Sequence, residues 1–267
     1  MTIRLLTEKD VAAAAAISAA TGWNQTDQDW GTLLALNPDS CVGVECDGTL
    51  AATATLSCYG RQLAWIGMVL TRPEFRSRGF ARQLLERLLA EADAREILTV
   101  KLDATEVGQP IYESLGFITE QPVERWVRPR EGPGPEDSLA TVGTPARGLD
   151  TQAFGADREM LLHHLAERAA TLTAEQGYVM RRNGVRAAYL GPCVARAPET
   201  AEQLIRAALG QHSGPWFWDL MPENAEAVRL AARLGFTVAR KLVRMYRGEP
   251  LRAKESWIYA LAGLEFG

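Results

Sequence analysis

The sequence predicts an α/β fold in which two similar halves follow each other along the chain. Short apolar runs typical of strands alternate with segments whose apolar residues recur at helical spacing. The stretch 129–137 holds three prolines and two glycines, which neither a helix nor an interior strand tolerates. On either side of it the motif Leu-Gly-Phe appears after a helix-like segment, at 115–117 and at 234–236. We therefore predict three units: a domain over 1–128, a linker over 129–148 and a domain over 149–267.

The composition is that of an ordinary globular protein. Of the 267 residues, 47% are hydrophobic, which is too many for a disordered or collagen-like chain. The longest apolar stretch, Val11–Ala20, is far shorter than the roughly 20 residues of a membrane span, and the first residues lack a signal-peptide pattern. A net charge of −4 disfavours nucleic-acid binding. The sequence thus predicts a cytoplasmic protein with neither nucleic-acid nor membrane partners.

Cysteine and histidine usage predicts no metal site. The four cysteines form no C-x-x-C pair, and the chain has only three histidines. A zinc site needs several such ligands at a defined spacing. Free thiols in a reducing compartment are the simpler interpretation.

Local patterns predict the individual elements. Thr7 caps a helix whose third position is Asp10, and Asp47-Gly48 is a strong hairpin turn. The predicted helices of the first half cover 8–20, 27–36, 81–94 and 108–115, and its predicted strands cover 41–46, 50–59, 64–70, 98–103 and 117–127. Helices of the second half are predicted near 157–173, 199–209 and 223–233.

The segment that follows the third predicted strand has the composition of an anion site. Four arginines and one glutamate lie between Arg72 and Arg82, and a helix begins directly after Gly79. Backbone N–H groups at a helix N-terminus attract anions, and glycine lets the backbone approach a ligand closely. The segment therefore indicates a diphosphate-binding turn. An ordinary strand–helix turn with solvated arginines is the alternative interpretation.

The sequence Arg76-Ser-Arg-Gly-Phe-Ala81, an R-x-x-G-x-A motif, together with Tyr112-Glu-Ser-Leu-Gly-Phe117, resembles the GNAT acetyltransferases. The resemblance implies that each domain is a mixed, mostly antiparallel sheet flanked by helices, and that acetyl-CoA is a cosubstrate. It implies that the pyrophosphate lies against Arg76, Ser77, Arg78, Gly79, Phe80 and Ala81. It also implies that the pantetheine arm pairs with the backbone of Met68, Val69 and Leu70.

Tyr112 is the candidate catalytic acid. Acyl transfer from a thioester to an amine expels a thiolate, and a phenol of ordinary pKa about 10 is a plausible proton donor to a thiol of pKa about 8.5. The family often has a tyrosine four residues before the glycine of its L-G-F element, the position that Tyr112 occupies. A tyrosine that only packs on the sheet is the alternative. A backbone N–H of Met68 or Val69 would polarise the thioester carbonyl.

The sequence identifies no general base. The predicted strand 64–70 carries no glutamate, although members of the family often have one there. Asp27, Asp29 and Glu106 are candidates by their rough location, but each is better interpreted as a solvated surface charge.

The stretch between the first two helices predicts the acceptor pocket. Trp23 and Trp30 frame a polar stretch that includes Asn24, and Tyr59 ends a strand facing the same region. Aromatic walls with a few polar groups suit a small ligand. Trp23, Asn24 and Tyr59 are therefore the candidate acceptor-binding residues. Two tryptophans that only pack the helices together are the alternative.

The second half lacks the features of the anion site. Leu70 and Leu84 are fourteen positions apart in the first half, whereas Val194 and Leu204 are ten apart, so the glycine-bearing turn is missing. The tyrosine position is Ala231. We predict a degenerate copy that does not bind CoA, packs against the first half and closes part of the acceptor site.

These observations predict an acyl-CoA-dependent N-acyltransferase. The expected reaction is direct transfer of acetyl from acetyl-CoA to a primary amine of a small molecule in a ternary complex, because no cysteine or serine occupies an evident nucleophile setting. A non-catalytic CoA-binding or regulatory module and a nucleotide-phosphate binder remain as alternatives. The tandem fold is compatible with a monomer or a homodimer.

Overall fold

The structure is a computed structural model that describes residues 1–129, 140–145 and 147–267, with the backbone alone for Arg147. Residues 130–139 and 146 of the predicted linker lie outside the described residues. The α-helices are α1 Val11–Ala20, α2 Asp27–Leu36, α3 Phe80–Ala94, α4 Gln109–Ser114, α5 Arg147–Phe154, α6 Glu159–Ala166, α7 Pro198–Gly210 and α8 Ala225–Arg233. The strands are β1 Thr2–Leu5, β2 Cys41–Cys46, β3 Thr49–Tyr59, β4 Leu63–Thr71, β5 Thr99–Ala104, β6 Ile118–Arg128, β7 Thr141–Val142, β8 Ala170–Ala174, β9 Gly177–Arg182, β10 Ala188–Ala195, β11 Trp216–Leu220, β12 Thr237–Gly248 and β13 Ile258–Ala260.

The first two helices begin at threonine caps. The Thr7 amide donates to Asp10 Oδ2 at 2.8 Å, and the Thr26 amide donates to Asp29 Oδ2 at 2.7 Å. Each aspartate thereby satisfies an amide that the helix leaves free. The predicted helix 8–20 is confirmed, with a short 3₁₀ turn before α1, and the predicted helix 27–36 coincides with α2.

The described strands form one sheet in the order β1-β2-β3-β4-β5-β12-β6-β11-β10-β9-β8-β7, with β13 paired to β10. Only β4–β5 and β10–β11 pair in parallel among these described strands. The predicted mixed, mostly antiparallel sheet flanked by helices is therefore confirmed.

The two halves exchange their last long strands. β12 of the second half lies between β5 and β6 of the first half, and β6 in turn lies between β12 and β11. Val243 is opposite Ala104 on one side of the exchange, and Trp126 is opposite Trp218 on the other. Hydrogen bonds of the sheet thus join each half to the other.

Two buried ion pairs strengthen this junction. Arg244 Nε donates to Asp103 at 2.9 Å, and Arg125 donates through Nε and Nη2 to Asp219 at 2.8 and 2.7 Å. All four side chains are almost fully buried. Loss of one partner from such a pair leaves an uncompensated charge and costs about 3–5 kcal/mol.

The sheet of the first half has a separate apolar core on each face. One core packs under α1 and α2 and includes Trp30, Trp65 and Met68. The other packs under α3 and includes Ile66 and Tyr112. Alternate residues of β4 therefore face opposite cores, as a pleated strand requires.

The predicted helix 157–173 is wrong at its C-terminal end. α6 ends at Ala166, and β8 begins at Ala170 and pairs antiparallel with β9. Thr171 and Thr173 are β-branched and favour a strand once a partner is available. No helix of the described residues is long and apolar enough to cross a membrane.

Candidate functional site

β4 and β5 diverge and leave a gap in the sheet. They pair over three residues, of which Trp65 and Lys101 are the last. β4 continues to Thr71 and β5 to Ala104, with no pairing between these strand ends in the described part of the chain. We call this gap the β4–β5 opening. Its edges present strand backbone that a ligand with amide groups can pair with.

Met68 lies on the β4 edge of the opening in an unusual conformation. Its φ is +50°, and the β3–β4 register shifts between Thr53 and Thr55. The Thr53 hydroxyl donates to the Met68 carbonyl at 2.8 Å and fixes the bulge. Bulges re-aim backbone groups, and Met68 has its positive φ inside a strand, whereas Asp47, Glu96 and Gln176 have theirs in turns. Backbone strain of this kind clusters at functional sites. The geometry suits the carbonyl-polarising role predicted for the Met68 or Val69 amide.

Residues 76–81, the candidate phosphate loop, lead from β4 into α3. Gly79 precedes the helix with φ +76°, and Ser77 has φ +60°. The first helical hydrogen bond runs from the Gln83 amide to the Gly79 carbonyl at 3.2 Å. No side chain of the described residues caps α3, so the amides of its first turn remain available. These amides and the helix dipole form an anion site.

The arginines of the loop divide into structural and exposed ones. Arg72 donates to the Leu50 carbonyl at 2.8 Å, and Arg82 donates to Ser114 Oγ at 2.7 Å. Arg76 and Arg78 are exposed beside the loop. Arg78 donates to the Glu74 carbonyl at 3.4 Å and lies over the Phe75 ring, which keeps its guanidinium near the loop. Exposed guanidinium groups in this position suit contact with a phosphate.

Tyr112 lies in the α3-side core. Its ring packs edge-on against Phe117 with 6.0 Å between the centroids, and the residue is 8% exposed. Its hydroxyl makes no hydrogen bond to any described residue. Burial raises the pKa of Tyr112 above its ordinary value, so the phenol stays protonated at neutral pH. The group can donate a proton but is not a base.

The second half has an equivalent parallel strand pair, but the gap beyond its paired residues is filled. β10 and β11 pair over three residues, ending with Leu190 and Trp218, as β4 and β5 do. Here β13 fills the gap: Cys193 pairs with Ala260, and the Trp218 indole donates to the Tyr259 carbonyl at 2.7 Å. A strand of the chain itself thus lies where the first half has its opening.

The phosphate loop is also absent from the second half. α7 begins with Pro198 at its first position, after Ala197 in an extended conformation. Glu199 lies in the first turn, where it would repel an anion. Ala231 occupies the place of Tyr112. The shorter spacing in the sequence therefore corresponds to a real loss of the turn.

Asn24 joins the two halves. Its Nδ2 donates to the Ala187 carbonyl at 3.0 Å, and its Oδ1 accepts from the amides of Arg186 and Ala187 at 2.9 and 3.1 Å. These bonds anchor the loop before β10 against the start of α2. Asn24 is therefore a positioning residue in this structure, and direct contact with an acceptor stays a prediction.

The aromatic residues predicted for the acceptor pocket lie in different surroundings and do not form one pocket wall. Trp23 is half-buried and packs on the guanidinium groups of Arg125 and Arg240. Trp30 is fully buried and joins α1 to α2 through its indole, as in the packing alternative. The Tyr59 hydroxyl donates to the Phe266 carbonyl at 2.7 Å. Tyr59 thus faces the end of the described chain rather than open solvent.

A buried polar cluster contains Asp29, one of the candidate bases, together with side chains that the sequence did not single out. Gln25, Asp29, Arg182 and Glu265 line a cavity of about 10 Å³ between the halves. Asp29 is buried rather than solvated, whereas Asp27 is exposed. No sequence pattern marks this cluster, because its members lie up to 240 residues apart.

Two family models match the chain in tandem. One, described as the acetyltransferase (GNAT) family, matches residues 11–117, and the other, described as an acetyltransferase (GNAT) domain, matches residues 146–260. The chain belongs to the GNAT family. The tandem arrangement predicted from the sequence is confirmed, and the protein is a transferase of the acetyltransferase class.

Known GNAT proteins resemble the chain over most of its length. The Bacillus subtilis (strain 168) protein called uncharacterized N-acetyltransferase YitH is 24% identical over 203 residues, 71% of each chain. A putative acetyltransferase from Pyrococcus horikoshii superposes with a TM-score of 0.89 at 21% identity, covering 100% of this chain and 95% of the other. A GCN5-related N-acetyltransferase from Sphaerobacter thermophilus gives 0.68 at 16% identity, covering 94% and 98%. At these identities the structures bear on the fold alone.

The GNAT family uses acetyl-CoA, and the site of the first half is compatible with it. The β4–β5 opening offers strand backbone to a pantetheine arm, and the candidate phosphate loop offers free amides to a diphosphate. Among the described residues, no group of three or more histidine, cysteine, aspartate or glutamate side chains is placed to hold a metal ion.

Proposed function

We propose that the protein is an acetyl-CoA-dependent N-acetyltransferase that acts on a primary amine of a small molecule. The observation that carries the proposal is the continuous path from the β4–β5 opening through the Met68 bulge to the uncapped start of α3. We assign catalysis to the domain over 1–128 and a supporting role to the domain over 149–267.

The first half would bind the cosubstrate through backbone groups. The residues proposed for the pyrophosphate are Arg76, Ser77, Arg78, Gly79, Phe80 and Ala81, and those proposed for the pantetheine arm are Met68, Val69 and Leu70. Bound acetyl-CoA supplies an activated acyl group and a thiol leaving group. An amide at the bulge stabilises charge on the thioester carbonyl oxygen.

Tyr112 completes the acid side of the reaction. Its buried phenol is protonated and makes no hydrogen bond to the part of the chain that the structure describes, so it can donate to the departing sulfur. The expected contribution of such a donor is about 10²-fold or more. Direct attack by the amine requires no covalent enzyme intermediate, and burial raises the pKa of the Cys41, Cys58 and Cys193 thiols, which disfavours a thiolate nucleophile.

Calorimetric titration of acetyl-CoA tests the assignment. Gly79→Glu introduces a negative charge and a side chain at the proposed diphosphate site, where a Cβ meets only the end of Gln83. We expect one site per chain in the wild-type protein and binding weakened about tenfold or more in the variant. Gly60→Glu is the matched control, because Gly60 has the same left-handed backbone and open surroundings at the opposite end of β4.

Each outcome of the titration has a definite meaning. Two acetyl-CoA sites per chain would contradict the prediction that the second half does not bind CoA. No binding of acetyl-CoA would contradict the proposed function. Binding without acetylation of any amine would favour a CoA-binding module. An equal loss of acetyl-CoA affinity in Gly79→Glu and Gly60→Glu would contradict binding of the diphosphate at the loop.

A further inference from the structure

Residues 261–267, the final segment, lie across β4 on the face opposite Tyr112. The Trp65 indole donates to the Leu264 carbonyl at 3.0 Å. A Cβ on Gly67 would approach the Glu265 carbonyl to 2.7 Å, so glycine alone permits the contact. Gly67 immediately precedes Met68, whose bulge borders the β4–β5 opening. The final segment is thereby fixed beside the proposed position of the thioester.

Glu265 is a buried carboxylate with incomplete partners. It is 3% exposed, and its closest partner is the Gln25 side-chain amide, which donates at 2.7 Å. The Arg182 guanidinium is 3.7 Å away, which is longer than a hydrogen-bonded ion pair. A buried carboxylate without a tight cationic partner is costly and calls for a functional explanation.

One further acceptor at the same cavity lacks a donor among the described residues, because Gln25 Oε1 is buried and accepts no hydrogen bond. Asp29, which also lines the cavity, is ion-paired with Arg168 at 2.9 Å. A cavity of about 10 Å³ has room for one water-sized group. A primary ammonium has that size and three donors, which matches this set of acceptors.

The electrostatic surroundings make the Glu265 carboxylate a base near neutral pH. Burial and the neighbouring Asp29 raise the pKa of Glu265 to about 7, whereas Arg182, the backbone amide of Glu265 itself and the Gln25 side-chain amide lower it. The titratable and charged side chains around it are Asp29, Tyr59, Arg125, Arg182 and Tyr189. A group with a pKa near the working pH is suited to accept and release protons.

We propose that Glu265 is the general base of the acetyl transfer and that Gln25 binds the same acceptor nitrogen. The inference rests on the proposed function. Glu265 removes one proton from the bound ammonium, the neutral nitrogen forms a C–N bond with the thioester carbonyl carbon, and the C–S bond breaks. The thiolate takes a proton from Tyr112. The nitrogen then loses its second proton, which restores the Tyr112 hydroxyl. Glu265 then releases its proton to water, so that an ammonium and a thioester give an amide, a thiol and one proton.

Kinetics of Glu265→Gln test this role. Initial rates of thiol release would be measured with acetyl-CoA and a panel of L-amino acids, putrescine and spermidine between pH 5.5 and 9, a range of roughly 1.5–2 pH units on either side of the expected pKa. We expect kcat to fall about 10²–10⁴-fold. In the wild type, kcat/KM plotted against pH rises through about 7 as Glu265 ionises. The variant lacks this rise and keeps only the rise that comes from deprotonation of the free amine. Glu265→Asp, which keeps the carboxylate, recovers part of the rate.

Controls separate this inference from the proposed function. The pKa of Glu265 is raised on folding, so its ionisation opposes folding as the pH rises from about 4.5 to about 7, and Glu265→Gln melts no lower than wild type at pH 8. Glu202→Gln on α7, remote from the cavity, keeps the wild-type rate and pH profile. Acetyl-CoA affinity is unchanged in every variant.

Two results would overturn the inference. A Glu265→Gln enzyme that keeps the wild-type kcat and the limb near pH 7 excludes Glu265 as the base, while acetylation by the wild type leaves the proposed function intact. A wild-type protein that binds acetyl-CoA and acetylates none of the amines fails the proposed function, and the inference fails with it.

Discussion

At the residue scale, the acid and the base proposed here lie on opposite faces of one strand. Tyr112 belongs to the core under α3, whereas Glu265 packs over Gly67 on the side of α1 and α2. A cosubstrate and an acceptor that meet through the β4–β5 opening would each find its proton-transfer partner on its own side.

Tyr112→Phe is expected to lower kcat tens-fold or more, on the order of 10²-fold, with unchanged acetyl-CoA affinity. The pH profile should keep its shape, because burial raises the pKa of Tyr112 and the phenol is protonated throughout the working range. Steady-state kinetics and calorimetric titration measure the two quantities. The hydroxyl has no hydrogen bond within the described residues, so the melting temperature should stay constant. An unchanged kcat would assign Tyr112 to packing alone.

The site residues that the sequence could suggest are those whose signal is local. Gly79 and Tyr112 belong to short motifs on single elements, the start of α3 and α4, and their roles stay predictions. Glu265 and Gln25 could not be found in this way, because their contact depends on a fold that joins residues 240 positions apart. Asp29 was assigned to the surface as an alternative because a single carboxylate after a helix start gives no indication of what packs over it.

At the element scale, β13 links the filled gap of the second half to the β4–β5 opening of the first. It fills the gap between β10 and β11, and the chain then leads directly into the final segment on β4. The Leu261 amide donates to the Asp219 carbonyl at 2.9 Å. This bond fixes the point where β13 ends and the final segment begins. The placement of Glu265 therefore depends on the pairing of β13.

Gly191→Ala should displace this element. A Cβ at Gly191 would lie 2.0 Å from the Leu261 carbonyl oxygen, and the φ of +141° is unfavourable for alanine. We expect a loss of stability of about 1–3 kcal/mol or more, faster amide exchange over 258–267, and a reduced kcat with acetyl-CoA affinity retained. Denaturant unfolding, hydrogen exchange and kinetics measure these effects.

Gly31→Ala on α2 provides the control for that substitution. Nothing lies within 4 Å of its Cβ, and alanine favours a helix interior over glycine by about 0.5–1 kcal/mol. The control should be slightly more stable than wild type, with unchanged exchange over 258–267. Unchanged exchange in Gly191→Ala as well would contradict the role assigned to β13.

Elements with both a cap and a periodic face were predicted well. The helix 27–36 has a Thr-x-x-Asp start and coincides with α2. The helix predicted over 157–173 is wrong beyond Ala166, where the chain forms a strand that pairs with β9 and β7. Local propensity cannot reveal such a partner.

At the scale of the whole molecule, the exchange of β6 and β12 makes the two domains one folding unit. β5 depends on β12, and β11 depends on β6, for half of their strand pairing. The repeated motifs predicted the duplication but not the exchange, because strand order is a property of the assembled sheet.

Thermal unfolding should therefore be a single cooperative transition, with equal calorimetric and van't Hoff enthalpies. Neither half can lose its structure without opening the sheet and the buried pairs of Arg125 and Arg244 in the other. Differential scanning calorimetry measures this directly. Two separate transitions, one for each half, would contradict the interdependence.

The strand exchange also bears on how the first half is assembled. Had the two copies been separate polypeptides, the pairing of β5 with β12 would require an encounter between subunits, and the folded fraction would vary with protein concentration. Within one chain the second strand is always present at a high effective concentration. Dilution therefore leaves the sheet of the first half intact, and the second copy acts as a covalently attached subunit.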